Sequence, residues 1–118
     1  MKITVSHQSF ALKHSFNISR GSKSRADVVT VRIERDGYVG WGECVPYARY
    51  GETIESVIAQ IRSVEPPITR TALLRALEAG AARNAIDCAL WDLEAKTAGT
   101  RVWNLARLSP PKPIATAY

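Results

Sequence analysis

The stretch VVTVRIERDGYVGWGEC, residues 28–44, decides the fold of this chain. Its first part, Val28 to Arg35, alternates apolar and polar residues with a period of two, as in a β-strand with one buried face. Asp36-Gly37 then interrupts the alternation, and Asp-Gly is a strong signal for a two-residue hairpin turn. Tyr38 to Cys44 form the returning strand. The stretch therefore predicts a β-hairpin.

A further strand precedes this hairpin. Residues 2–12 alternate through Ile3 and Val5, which predicts a strand with one buried face. Residues 17–25 contain Gly21 and three serines, too little apolar surface for a packed element, so we predict a mobile loop there. The three strands are expected to pair as an antiparallel meander.

Three helices are predicted after the strands. Thr53 is a suitable N-cap for a first helix whose apolar residues recur at helical spacing, and Pro66-Pro67 is expected to end it. Thr71 is expected to cap a short second helix that Gly80 ends. The apolar residues of the first helix are Ile54, Val57, Ile58 and Ile61.

The third predicted helix is the longest and runs from Ala81 to about Ala98. Lys96 suits its last turn and Gly99 suits its C′ position. Small residues in its apolar stripe would let a sheet approach the helix backbone closely. The stripe consists of Ala82, Ala85, Ile86, Ala89, Leu90 and Leu93, and Cys88, Trp91 and Ala95 widen it. Strands followed by a block of helices indicate an α+β domain.

The length and charge of the chain bound its function. Its 118 residues, 46% hydrophobic, suffice for one core. The net charge of +5 lies in residues 1–26, which hold five basic residues and no acid. A basic loop can attract an anionic small molecule or a phosphate backbone, although it can also be a solvated turn.

No apolar run approaches the roughly 18 residues of a membrane span, and Met1 leads into a strand rather than a signal segment. We therefore expect a cytoplasmic protein without a membrane partner. Cys44 and Cys88 fall in separate elements, and buried thiols are expected rather than a disulfide.

Complete catalytic or metal-binding motifs are absent from the sequence. Asp87 and Asp92 are five residues apart, about 140° around a helix, and cannot share a metal ion on their own. Glu43 and Glu52 flank one loop, where acids are more often structural. We find no nucleophile elbow, no phosphate-binding loop and no Cys/His set with metal spacing. The chain is therefore expected to supply no catalytic residue and no metal ligand.

The loop in GWGECVPYARYGET, residues 40–53, is the strongest functional signal. A strand with two glycines runs into Tyr47, Arg49 and Tyr50 before a helix starts. Large rigid and charged side chains of this kind are typical of loops that contact a ligand.

Four segments resemble the enolase superfamily in its muconate-cycloisomerase-like branch, and most closely the dipeptide epimerases acting on L-Ala-D/L-Glu. Residues 16–23 and 40–53 look like the two specificity loops of that family. Residues 81–93, AARNAIDCALWDL, look like the signature of its long N-terminal helix, and residues 113–118 look like entry into its barrel.

The resemblance implies a capping domain over residues 1–110, followed by a linker and the start of the first barrel strand over 111–118. It also implies a parent isomerase that moves an α-proton of a dipeptide, with Mg²⁺ ligands and lysines beyond Tyr118. On its own the chain would be inactive. A homo-oligomer and contacts with its own barrel are expected.

The resemblance further assigns substrate-binding roles. Arg20 and Lys23 would meet the anionic glutamate end of an acidic dipeptide, and Tyr47, Arg49 and Tyr50 would wall the pocket or order the lid. Lys23 stands where the family tends to carry arginine, and it offers a point charge rather than a bidentate fork.

Two alternatives remain at this point. The same cap occurs with muconate cycloisomerases and o-succinylbenzoate synthases. A stand-alone anion-binding or protein-binding module is the alternative of another class. Nucleic-acid binding is not expected, because only Phe10 and Phe16 accompany the basic residues near the first strand, too few for a stacking platform.

Overall fold

The structure, a computed structural model, describes residues 1–18 and 21–116, and it describes residues 14–18 and 21–23 by their backbone alone. Three strands form one antiparallel sheet in the order β1-β2-β3, and helices follow. The predicted α+β class is therefore confirmed. The elements are β1 (Lys2–Ile18), β2 (Gly21–Arg35), β3 (Tyr38–Cys44), a 3-10 turn (Ala48–Tyr50), α1 (Ile54–Arg62), α2 (Arg70–Ala76), α3 (Ala81–Thr97) and α4 (Val102–Leu105).

The turn between β2 and β3 has the predicted two-residue form. Asp36 and Gly37 have φ angles of 50° and 80°, and Arg35 pairs with Tyr38 across the turn. Positive φ at both central residues matches the twist of the flanking strands, and Asp-Gly adopts it readily.

The β1–β2 hairpin is longer than the sequence predicted. Its ladder runs from Lys2↔Glu34 to Ala11↔Arg25, shifts register, and resumes at Phe16↔Lys23. The expected mobile loop over residues 17–25 is therefore wrong for residues 17–18 and 21–25, which are strand. Backbone hydrogen bonds hold such a ribbon without an apolar face, so composition did not reveal it. Ser19 and Arg20 lie outside the described residues.

The helix boundaries agree with the sequence in part. Thr53 caps α1 through a reciprocal capping box with Ser56, as predicted for the cap. The cap of α2 is Thr69 rather than Thr71, because the Thr69 hydroxyl accepts a hydrogen bond from the Ala72 amide at 3.2 Å. Gly80 does not end α2 but precedes α3 as its N-cap.

The far end of the chain departs further from prediction. Helix α4 was not predicted. The structure assigns no strand to residues 114–116, and Ile114 is 81% exposed. The division into a domain over 1–110 and a linker with a barrel strand over 111–118 stays a prediction.

The core lies between the sheet and α3. All six predicted stripe residues of α3 are buried, and Ala95 joins them. Cys44 is buried and Cys88 is exposed, so the expectation of two buried thiols is wrong for Cys88; both are free. The core residues from the sheet are Val29, Val31, Ile33 and Cys44, and those from α1 and α2 include Val57, Ile61 and Leu73.

The predicted close approach of sheet and helix occurs at two glycines of β3. A Cβ added at Gly42 would lie 2.0 Å from the carbonyl oxygen of Ala85, and one at Gly40 would lie 2.1 Å from that of Ala89. Gly40 meets a later residue of α3 than Gly42 does, so the helix runs antiparallel to β3. The first turn of α3 therefore lies beside the end of β3 at Cys44.

Side chains of α3 also satisfy backbone groups of β3. The Trp41 amide donates to Asp92 at 2.9 Å, and Lys96 donates both to the Val39 carbonyl at 2.9 Å and to Asp92 at 2.6 Å. These bonds occupy backbone groups that would otherwise invite another strand. No helix in residues 1–18 and 21–116 is long and apolar enough to cross a membrane.

Candidate functional site

Three segments lie at the same end of the sheet, which we call the open end. They are the ribbon of residues 16–18 and 21–23, the loop over 45–53, and the first turn of α3. Cys44, the last residue of β3, pairs with Val29. The residues of β2 before Val29 therefore extend past the exit of β3. Gly21 lies eight residues beyond Val29, so the ribbon projects by about 26 Å at roughly 3.3 Å per residue.

A cavity of about 660 Å³ lies at the open end. Its size is that of a pocket for a small organic ligand. The walls come from the end of β3, the loop after it and the start of α3. They are formed by Glu43, Cys44, Val45, Tyr47, Tyr50, Glu52, Ala79, Gly80, Ala81 and Asn84.

The loop folds into a single 3-10 turn that presents two aromatic rings. The Tyr50 amide donates to the Tyr47 carbonyl at 2.9 Å, and Gly51 closes the turn with a φ of 72°, a conformation that favours glycine. The Tyr47 and Tyr50 rings lie 5.7 Å apart between centroids, tilted by 47°. Tyr50 is 76% exposed. The turn therefore holds an aromatic pair toward solvent at the cavity.

Glu52 joins the loop to α3. One carboxylate oxygen accepts from the Ala81 amide at 2.7 Å, and the other accepts from the Tyr47 amide at 3.0 Å. Gly80 offers α3 no side-chain cap, so Glu52 fills that role from 28 positions earlier in the chain, with its negative charge at the positive end of the helix dipole. The structural role expected for this acid is confirmed, although the cap itself was not predicted.

The cavity lining is acidic. Burial raises the pKa of the Cys44 thiol to about 11, and the charges of Glu52 and Glu43 add to the effect. No lysine or arginine is among the described lining residues. An anionic ligand would therefore need a cation from outside the lining.

The structure brings together some of the predicted site residues. Tyr47 and Tyr50 line the cavity, while Arg49 sits between them on the exposed turn without lining it. Lys23 has a described backbone, paired with Phe16, but its side chain and all of Arg20 lie outside the described residues.

Two residues of the cavity were not singled out as ligand-binding from the sequence. Asn84 is exposed in the cavity wall, one helical turn after Gly80, and Glu43 is exposed at the end of β3. Asn84 lies beside the apolar stripe of α3, and Arg83 and Asp87 near it are charged, so the sequence carries no particular signal for it.

The described residues do not fit a metal site. Within residues 1–18 and 21–116, no group of three or more histidines, cysteines, aspartates or glutamates converges on one point. His7 is hydrogen-bonded to Asp27, and Asp92 is occupied by Trp41 and Lys96.

Comparison with known proteins identifies relatives along the whole chain. Residues 1–106 match the family described as mandelate racemase / muconate lactonizing enzyme, N-terminal domain. The chain is 46% identical over 119 residues to an L-Ala-D/L-Glu epimerase of Escherichia coli, covering 98% of the chain and 37% of that enzyme. An N-acetyl-D-glutamate racemase of Pseudoalteromonas is 47% identical over 75 residues, covering 58% of the chain and 24% of the racemase.

Solved structures show the same fold. An enolase family member from Agrobacterium tumefaciens with homology to dipeptide epimerases, solved with sodium and L-Ala-L-Glu and an ordered loop, superposes with a TM-score of 0.93 at 47% identity. The match covers 98% of this chain and 37% of that one. A dipeptide epimerase from Methylococcus capsulatus, solved with Mg and L-Arg-D-Lys, gives 0.74 at 30% identity, covering 88% of this chain and 33% of that one.

The chain thus matches between about a quarter and little more than a third of the length of each of these relatives, with coverages of 24% to 37%. The antiparallel sheet, the long α3 and the matches over nearly the full chain agree with the resemblance of the sequence. The chain belongs to the N-terminal domain family of mandelate racemase and muconate lactonizing enzymes, within the enolase superfamily, and is similar to that of dipeptide epimerases.

Proposed function

We propose that this domain caps the active site of a dipeptide epimerase and that its open end contacts an acidic dipeptide. The observation that carries the proposal is that the projecting ribbon, the aromatic loop and the first turn of α3 lie at one end of the sheet, the last two around a cavity. A projecting ribbon and an exposed aromatic loop beside a cavity suit a domain that covers a substrate and excludes water.

The acidic substrate is favoured by the relatives and by the charge pattern. The L-Ala-D/L-Glu epimerase and the N-acetyl-D-glutamate racemase both have names that specify a glutamate acylated on nitrogen. The ribbon of this chain lies within the first 26 residues, which hold five basic residues and no acid. Because the cavity lining is itself acidic, the cation for the substrate carboxylate would come from Arg20 and Lys23, with Arg49 at the edge.

The chain's own contribution is binding and orientation. In this proposal Tyr47 and Tyr50 form an apolar wall, while Glu52 fixes the loop against α3. A magnesium ion in the parent enzyme would stabilise the enediolate formed when the α-proton leaves. By the resemblance to the family, the ligands of that ion would belong to a barrel domain. A cytoplasmic homo-oligomer remains part of the proposal.

The function is tested with the full-length gene product that contains this chain. Incubated with L-Ala-L-Glu and Mg²⁺ in D₂O, it should place deuterium on the glutamate α-carbon and form the D-epimer, as followed by proton NMR and chiral chromatography. Deuterium incorporation into muconolactone but into no dipeptide would favour the cycloisomerase-type cap and contradict the proposal.

The role of Lys23 is tested by Lys23→Gln in the same protein. Loss of one charge–carboxylate contact should raise KM for L-Ala-L-Glu about tenfold and leave KM for L-Ala-L-Leu within about twofold. Arg75→Gln is the matched control, because Arg75 is exposed on α2 and lies outside the cavity lining. Equal changes for both dipeptides would remove Lys23 from recognition of the acid.

A further inference from the structure

Four polar side chains lie together across the hairpin where it leaves the body of the sheet. His7 Nε2 lies 3.1 Å from Asp27 Oδ1. Arg25 Nε donates to the Ser9 hydroxyl at 2.8 Å, and its Nη2 donates to the Ser9 carbonyl at 3.1 Å. Ser9 also hydrogen-bonds Asp27. We call this group of His7, Ser9, Arg25 and Asp27 the clasp.

The clasp stands where the backbone ladder is interrupted. Ser9↔Asp27, Phe10↔Ala26 and Ala11↔Arg25 are consecutive pairs, and the register then shifts until Phe16↔Lys23. Strands twist and bend at such irregularities because the ladder bonds there are lost. The side chains of the clasp therefore tie β1 to β2 at the last pairs before the interruption.

Charge at the clasp depends on one histidine. The Ser9 hydroxyl, and then His7, lower the pKa of the Asp27 carboxyl, which is thus ionised at neutral pH. Arg25 is permanently positive. From α1, Glu55 also interacts electrostatically with His7, and its own pKa is lowered chiefly by hydrogen bonds to its backbone amide and Thr53. Among the described charged groups around His7, namely Asp27, Arg25 and Glu55, none changes charge between about pH 5 and 8, where histidine ordinarily does.

We propose that the clasp is a proton-sensitive device that holds the base of the hairpin firmly when His7 is protonated and loosely when His7 is neutral. A protonated imidazole is attracted to two carboxylates, one on β2 and one on α1. A neutral imidazole can still donate one hydrogen bond to the ionised Asp27, but it loses the Coulombic attraction of a protonated ring to the two carboxylates. Since Arg20 and Lys23 lie in sequence between Ser9 and Arg25, the state of the clasp would influence how firmly this basic segment is held. The inference does not depend on the substrate.

Hydrogen–deuterium exchange of the full-length gene product tests this proposal, with rates corrected for the intrinsic effect of pH. Protection of the amides in residues 8–11 and 24–27 should be about two- to fivefold higher near pH 5.5 than near pH 8, as expected for an exposed ion pair. Residues 31–33 of β2, opposite β3, serve as the internal control and should show the same protection at both pH values.

Two substitutions separate the device from a general effect of pH. His7→Lys keeps the positive charge and should give the higher protection at both pH values. His7→Gln should give the lower protection at both. The side chain of His7 is 41% exposed, so neither change disturbs the core. Equal protection at both pH values in the unaltered protein, or the same pH dependence in His7→Gln, would overturn the proposal.

Discussion

The interface between β3 and α3 and the open end use the same two elements in opposite ways. At the interface, Gly40 and Gly42 leave no room for even one added carbon against the helix backbone. A few residues later the same segment exposes Tyr47 and Tyr50 around a cavity of about 660 Å³. The GWGECVPYARYGET stretch therefore has two parts. Residues 40–44 pack against α3 in the interface that we call the body, and residues 45–53 lie at the cavity of the open end.

Replacing one glycine by alanine in each region is expected to give the largest difference in the free energy of unfolding. In Gly42→Ala the new Cβ would meet the Ala85 carbonyl at 2.0 Å, and backbone cannot yield as a side chain can. We expect a loss of about 3 kcal/mol in the free energy of unfolding, measured by urea denaturation.

Gly80→Ala is the matched change at the open end. Its added carbon would meet only the flexible end of Glu52, at 2.9 Å, and the backbone there is extended. The expected loss is less than about 1 kcal/mol. Similar losses for the two variants would contradict the distinction between the regions.

The reactivities of the Cys44 and Cys88 thiols test which of these side chains is protected by the body. Cys44 touches the cavity, yet its pKa is raised to about 11 from 9.0, which lowers its thiolate fraction at pH 8 about 100-fold. Burial and the neighbouring Asp87 also raise the pKa of Cys88, but this thiol is exposed. With a disulfide reagent at pH 8, mass spectrometry should find Cys88 labelled first and Cys44 at least about tenfold more slowly. Equal rates would mean that the Cys44 thiol is accessible from the cavity and is not protected by the body.

Glu52 links the loop of the open end to α3, and its substitution is expected to have an intermediate effect on the free energy of unfolding. Glu52→Gln removes the negative charge at the start of α3. It also replaces one of the two carboxylate oxygens by an NH2 group, which cannot accept a hydrogen bond from the Tyr47 or the Ala81 amide. We expect a loss of about 1–2 kcal/mol in the free energy of unfolding. Glu78→Gln is the control, because Glu78 is exposed and has no hydrogen bond among the described residues. A loss no larger than that of the control would mean that Glu52 does not stabilise the loop.

The body was largely predictable from the sequence. Helical spacing located the buried stripe of α3, and Asp36-Gly37 located the turn, because both patterns are local. The alanines of that stripe predicted the close approach of a sheet, which Gly40 and Gly42 complete from β3.

The open end was less predictable because its contacts are not local. Glu52 caps a helix that begins 29 residues later, and no spacing rule connects them. The serines of the β1–β2 ribbon suggested a loop. Backbone hydrogen bonds hold the ribbon as two strands, and these bonds do not depend on the side chains. The sequence located the aromatic pair by composition alone, and the roles of Arg20 and Lys23 rest on the resemblance to the family.

The central claim is that the open end contacts substrate while the body supplies stability. The most direct test measures kcat/KM for L-Ala-L-Glu and the urea midpoint of the full-length gene product for Tyr50→Ala, with Leu74→Ala as control. Tyr50 is 76% exposed and lines the cavity, whereas Leu74 is 58% exposed and does not. Each variant should lose less than about 0.5 kcal/mol of stability, and Tyr50→Ala alone should lower kcat/KM about tenfold. An unchanged kcat/KM in Tyr50→Ala, or an equal fall in Leu74→Ala, would contradict the claim.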